Sequence, residues 1–214
     1  MSGSIFGKNF AISTWGESHG TALGVVVDGC PAGIPLSIED IQDDLDKRKP
    51  GRSPYATPRS EDDKVEILSG VFEGRTTGTP ISMIIYNRNQ RSRDYSDIKD
   101  TYRPGHGDYA YDQKYGFRDY RGGGRSSGRE TAARVAAGAI AKKILSFLGI
   151  HVLAYTLSIG DIKTQDSCFD VNEIYKNPLA MPDKEAALKA QKYLDKLKEK
   201  GDSAGGIIEC IVDG

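Results

Sequence analysis

Gly16-Glu17-Ser18-His19-Gly20, followed by the apolar run Leu23 to Val27 and then Asp28-Gly29-Cys30-Pro31-Ala32-Gly33, is the stretch on which the fold turns. The glycines bracket a turn, and the apolar run behind it has the length of a buried strand. One of the chain's three histidines therefore stands in a glycine-flanked turn at the mouth of a strand. Backbone of that kind can approach a ligand closely, and imidazole is the side chain whose charge changes near neutral pH. A structural histidine belongs inside a strand or helix pattern. His19 is placed to do chemistry.

Outward from this turn, residues 9–14 and 22–28 read as strands on either side. Ser37 and Asp40 form a capping-box pattern opening a helix with Ile38, Ile41 and Leu45 on one face, and Lys49-Pro50-Gly51 stops it. Alternation at Val65 and Ile67 and the run Ile81 to Tyr86 predict two more strands. Residues 87–121 are polar and aromatic around Arg103-Pro104-Gly105-His106-Gly107-Asp108, too long for an idle connection and so expected to be functional. Ser127 and Glu130 suggest a second capping box, opening a helix with Ala132, Val135, Ala136, Ala139, Ile140, Ile144 and Phe147 on its apolar face and Gly149 behind it. A strand from His151 to Ser158, a helix from Asp183 to Gly201 bearing Ala187, Ala190, Leu194 and Leu197, and a strand from Gly206 to Val212 complete the pattern. Val25-Val26-Val27-Asp28-Gly29 is echoed by Cys210-Ile211-Val212-Asp213-Gly214, and an ending on Val-Asp-Gly reads as a truncation.

Composition limits the function classes. With 214 residues the chain has room for one generous domain or two small ones. A net charge of −1 argues against a general nucleic-acid or membrane binder, and no apolar run is long enough to span a bilayer. No secretory leader pattern opens the chain, and three scattered cysteines, Cys30, Cys168 and Cys210, read as reduced thiols; a cytoplasmic protein is expected. No metal-ligand or nucleophile pattern stands out. The 25 glycines exceed the usual share of about 7%, and they cluster between the periodic segments.

Two basic loops suggest an anion site. Lys47, Arg48, Lys49, Arg52 and Arg59 lie in an acid-free stretch stiffened by Pro50, Pro54 and Pro58. Arg121-Gly122-Gly123-Gly124-Arg125-Ser126-Ser127 runs into a helix start, where free amides and the helix dipole favour phosphate. The alternatives are a glycine hinge with solvated arginines, or an RGG-type RNA contact that the single copy and abutting helix disfavour. His106, also in a glycine turn, pairs with His19 as a candidate proton donor, whereas His151 at a strand start reads as structural. Glu17, Asp108 and Asp119 are available to orient these groups, though spacing does not place them.

These residues closely resemble the chorismate synthase family. Gly16-Glu17-Ser18-His19-Gly20 with Asp28-Gly29 is similar to its first signature, and Gly124-Arg125-Ser126-Ser127-Gly128-Arg129-Glu130-Thr131 with Ala136-Ala137-Gly138-Ala139 to its second. Val65 to Gly74, Asp94-Tyr95-Ser96 and Arg103-Pro104-Gly105-His106 match between them in order. The third signature, Arg-x-Asp, is absent, and family members continue Val-Asp-Gly into Pro-Ala-Gly; the chain is expected to be the N-terminal part. The resemblance implies an α/β (α+β) fold, a β-α-β sandwich built from two similar halves, with residues 1–214 in a single domain. It implies a carbon–oxygen lyase that eliminates phosphate from 5-enolpyruvylshikimate 3-phosphate to give chorismate, the last common step of the shikimate pathway, with reduced FMN required and NADPH a possible reductant. It further implies a cytoplasmic homotetramer with a small-molecule substrate and neither nucleic-acid nor membrane partners. Residue by residue, His19 would assist the departing phosphate, His106 would protonate the reduced flavin, Arg48 and Arg52 would bind substrate, and Arg125, Ser126 and Ser127 would bind FMN. Many relatives carry a basic residue where this chain has Pro54, with Arg52 nearby. A catalytically silent flavin- or anion-binding fragment is the alternative.

Overall fold

Alternating apolar residues in the first part of the chain make the strands β1 (Ile5–Phe6), β2 (Ala11–Trp15) and β3 (Ala22–Asp28). The computed structural model describes residues 3–51, 53–55, 59–89 and 99–214. They fall into two compact units, Met1–Lys49 with Arg59–Ile144, and Pro50–Pro58 with Leu145–Gly214.

In the first unit the helix α1 (Ile38–Arg48) follows β3, with the Ser37/Asp40 capping box formed as the sequence predicts. Next come β4 (Val65–Ile67), the small hairpin β5 (Val71–Phe72) and β6 (Arg75–Thr76), and β7 (Ile81–Tyr86). The main sheet has the order β1-β2-β3-β7-β4. Register places Leu23 opposite Ile85, Val25 opposite Met83 and Val27 opposite Ile81, so both central strands turn the same apolar face into one core. Ile41 and Leu45 of α1 belong to that core, as do Ala132, Ala133, Ala136, Ala137, Ala139 and Ile140. These last lie on α3 (Thr131–Ser146), whose small side chains let its backbone pack closely on its neighbours.

Two expectations are corrected here. Within residues 87–121, where the sequence reading names no element, lies α2 (Asp108–Tyr115), closed by Gly116 at φ 71°. Its tyrosines leave no apolar stripe, which is why periodicity missed it. The second capping box also fails to form. Ser127 accepts from the Arg129 amide at the start of a short 3₁₀ turn, Gly128–Glu130, while the Glu130 carboxylate is drawn to Thr14, Arg125 and Arg134. Phe147 lies beyond the end of α3 and is exposed.

The second unit contains β8 (His151–Ile159), β9 (Ile162–Lys163), α4 (Lys184–Glu199) and β10 (Gly206–Asp213), with sheet order β10-β8-β9. Asp183 caps α4 through the Ala186 amide, and Met181, Ala186, Ala187 and Ala190 form its core. Tyr55 belongs to this unit and donates its hydroxyl to Asp195 Oδ1 at 2.9 Å on α4. The echoed Val-Asp-Gly stretches end β3 inside one sheet and β10 at the edge of another. Every described strand pair is antiparallel, so of the classes the composition left open the chain takes α+β.

Candidate active site

The glycine-rich turn of the first unit is where the candidate residues meet. Gly122, Gly123 and Gly124 have φ of 58°, 86° and 54°, which interrupts the 3₁₀ segment Arg121–Ser126 in a way that side chains resist. A Cβ on Gly122 would lie 2.2 Å from His19 Cδ2 and 2.5 Å from its Nε2, so the buried imidazole rests directly on this backbone. Ser18 fastens the contact: its hydroxyl donates to the Gly122 carbonyl at 3.2 Å and its amide to the Gly124 carbonyl at 3.2 Å. From the other side, a Cβ on Gly107 would lie 2.9 Å from Ser126 Cβ. The two histidine turns, far apart in sequence, thus close on one loop.

His106 is exposed, with Nδ1 3.0 Å from the Pro104 carbonyl. A carbonyl only accepts, so in this contact Nδ1 carries the hydrogen and Nε2 the lone pair. Asp108 braces this turn by accepting from Arg103 Nε and Nη2, both at 2.8 Å, and from the Arg103 amide at 3.0 Å. The Arg103 guanidinium holds the Asp108 carboxyl down at about 2. Asp119 is likewise held low, chiefly by its fork with Arg121 and in smaller part by the nearby His19.

Beside the turn lies a cavity of about 340 Å³, bordered by Tyr111, Tyr115 and Phe117 and by the guanidinium-bearing Arg118 and Arg125. Glu17, Asp108, Asp119 and Ser126 also line it. Arg118 pairs with Asp112 and donates to the Lys99 and Thr101 carbonyls; its buried Nε lies 4.0 Å from Asp108 Oδ1 and has no hydrogen-bond partner among the described residues. Arg125 ties the cavity wall to β2, donating to the Gly16 carbonyl at 3.1 Å, to Thr14 Oγ1 at 2.7 Å and to Glu130 at 3.2 Å. Burial alone would raise the Glu130 carboxyl, but Arg134, Thr14 and Arg125 outweigh it and hold it low.

A second cluster shares the His19 turn. Asp63, with a fully buried carboxylate, accepts from Arg129 Nη1 at 2.6 Å and from Arg48 Nη1 at 3.0 Å. Arg48 also donates to the Gly128 carbonyl at 3.0 Å and to Thr131 Oγ1 at 3.3 Å. Burial pulls the Arg48 guanidinium below its usual value, Arg129 and Arg59 add repulsion, and Asp63 opposes both. Asn87 joins this cluster to the turn: its Oδ1 accepts from Arg129 Nε at 2.7 Å, and its Nδ2 donates to the Glu17 and Gly20 carbonyls. Arg59 pairs with Glu61 at 2.7 Å and donates to the Ser18 carbonyl at 3.1 Å. Among the described residues, Arg129 Nη2 is buried with no hydrogen-bond partner.

Of the residues picked out by sequence, His19, Arg125 and Ser126 meet at the glycine turn and Ser127 caps its exit, Arg48 belongs to the Asp63 cluster, and His106 is exposed on a turn whose Gly107 packs against Ser126. Arg52 lies outside the described residues, as does Asp94-Tyr95-Ser96. Sequence reading missed Asp63 and Asn87 altogether and carried Arg129 as part of the second signature without giving it a role. Asp63 carries a signal in the backbone alone, a φ of 49° that is uncommon outside glycine.

The family model for chorismate synthase matches residues 10–214. The chain is 62% identical over its whole length to a chorismate synthase of Agathobacter rectalis, 63% to one of Lachnospira eligens and 53% to one of Methanosarcina mazei. It spans 58%, 58% and 59% of those proteins. A crystal structure of chorismate synthase matches 96% of this chain and 58% of its own, at 34% identity and a TM-score of 0.74. The chain belongs to the chorismate synthase family.

Proposed function

We propose that this chain carries the phosphate-eliminating site of chorismate synthase, acting on 5-enolpyruvylshikimate 3-phosphate with reduced FMN. The observation that carries the reading is the convergence of both histidine turns on one glycine loop, His19 against Gly122 and Gly107 against Ser126, beside the buried Arg129, whose Nη2 has no hydrogen-bond partner among the described residues. A substrate with two carboxylates and a phosphate needs several cations that are not already neutralised. Arg48 and Arg129 share a single carboxylate, so their cluster keeps a surplus positive charge. Arg52 joins them in this reading.

Within the site, His19 holds a proton at the departing phosphate, with the Asp119 carboxylate nearby. His106 moves a proton at Nε2, its ring oriented by the Pro104 carbonyl and its turn by the Arg103–Asp108 fork. The cavity residues fit a flavin: an aromatic wall suits the ring, guanidiniums suit the phosphate, and the carboxylates of Asp108 and Asp119 are already paired with arginines. Arg125, Ser126 and Ser127 are the residues we assign to hold FMN. Reduced FMN, when bound, supplies an electron-rich ring that assists a redox-neutral elimination. NADPH as reductant, a homotetramer, a cytoplasmic location and one domain over residues 1–214 belong to the same reading. No helix among the described residues is long and apolar enough to cross a membrane.

The test is anaerobic phosphate release from 5-enolpyruvylshikimate 3-phosphate with chemically reduced FMN, beside His106→Ala. Release by the parent, lost in the variant, is expected; no release from a folded parent would overturn the reading.

A further inference from the structure

Among the described residues, the Asp63 carboxylate is the one group to which Arg48 and Arg129 both donate. Each of its oxygens takes a different guanidinium, Oδ1 from Arg129 and Oδ2 from Arg48. Its backbone is held at φ 49°, a conformation that L-residues other than asparagine and aspartate seldom adopt and that concentrates at functional sites. Gln42 secures that conformation by donating to the Asp63 carbonyl at 3.3 Å and accepting from the Val65 amide at 3.1 Å. Arg129 is held a second time at Nε by Asn87. With Nη1 and Nε fixed, the planar guanidinium cannot rotate, and Nη2 points one way only.

Arg48, part-exposed, and the buried Arg129 share one fully buried carboxylate, and with the Arg59–Glu61 pair beside them the cluster still carries a surplus positive charge; a buried guanidinium N–H without an acceptor among the described residues is also unfavourable. Both features suit an anion as the missing partner. We propose that Asp63 is a positioning residue that aligns Arg48 and Arg129 as a preformed pair for an anionic group of the substrate. The inference rests on the function proposed above.

Charge and orientation make opposite forecasts for Asp63→Asn. The variant keeps the shape and suits the left-handed backbone, but it removes a negative charge beside an anion site. If Asp63 were only a counter-ion, anion affinity would stay the same or rise. As a positioning residue its loss weakens binding, by about 10-fold or more for one misdirected charged hydrogen bond. Calorimetric titration of the 214-residue chain with 5-enolpyruvylshikimate 3-phosphate and, separately, inorganic phosphate reads this out. Expected are weaker substrate binding by Asp63→Asn and a smaller preference for substrate over inorganic phosphate. Equal or tighter substrate binding with an unchanged preference would overturn the proposal.

Guanidinium ¹⁵N NMR of the unmodified chain provides a second measurement, independent of whether the variant folds. Slow rotation of the Arg129 guanidinium without ligand is expected, and rapid averaging would overturn the positioning. A parent that binds no substrate while Arg129 remains locked would break the functional reading and leave the positioning intact.

Discussion

Arg125 and Arg129 stand in the same glycine-rich stretch, yet they face two differently built regions. Around Arg125 the acceptors are plentiful: the Gly16 carbonyl, Thr14 and Glu130, with Arg134 sharing the last. Among the described residues they are scarce around Arg129, since Asp63 is shared with Arg48, Asn87 takes only Nε, and Nη2 has none. The difference teaches that two arginines of one phosphate-type loop need not serve the same anion. What matters is the count of acceptors already supplied by the fold. The first region fastens the loop to β2, and the second keeps positive charge in hand.

The largest expected effect comes from breaking the scarce side. Arg129→Ala leaves a buried Asp63 with one guanidinium in place of two, and removal of one partner of a buried ion pair typically costs about 3–5 kcal/mol. Chemical denaturation should show that loss, accompanied by loss of substrate binding. Next is Gly122→Ala, where a Cβ would sit 2.2 Å from the His19 ring on a backbone at φ 58°. A loss of about 2 kcal/mol is expected, with a displaced His19 imidazole signal in NMR.

How far this contrast was legible in the sequence depends on the distance over which each signal acts. Strands β3 and β7 and helices α1, α3 and α4 announce themselves through local periodicity and caps, and they appear where expected. The tyrosine-rich α2 has no such stripe and did not. The histidines were visible because glycine flanks each of them locally. Their convergence was not, because it depends on Gly122 and Gly107 packing against residues remote in the chain. Asp63 lies 66 positions from Arg129 and 15 from Arg48, and no local pattern encodes that pairing. Glu130 shows the reverse failure: a good local capping signal was overridden by the tertiary pull of Arg125, Arg134 and Thr14.

The acid response of the His106 turn sharpens the comparison from a third place. Arg103 lowers the Asp108 carboxyl from 3.8 to about 2. A carboxyl lower in the folded than in the unfolded chain stabilises above its unfolded value, and that stability is lost as pH falls towards the folded one. The contribution is about 2 kcal/mol, and Asp108→Asn should flatten the acid limb of the stability profile between pH 4 and 2 relative to the parent. A parallel profile in both proteins would disconnect Asp108 from that limb. The smallest effect belongs to the plentiful side: Arg125→Lys keeps the charge but not the fork, and a loss of about 1 kcal/mol is expected. FMN affinity should fall with it, because the same guanidinium lines the cavity and anchors β2.

The most direct measurement is calorimetric titration of 5-enolpyruvylshikimate 3-phosphate into the parent, Arg129→Lys and Arg125→Lys, each shown to be folded. Substrate binding weakened about 10-fold or more by Arg129→Lys and changed less than about threefold by Arg125→Lys is the expected result. Equal weakening by both, or none by Arg129→Lys, would contradict the assignment of the anion site to the arginine that the fold leaves unsatisfied.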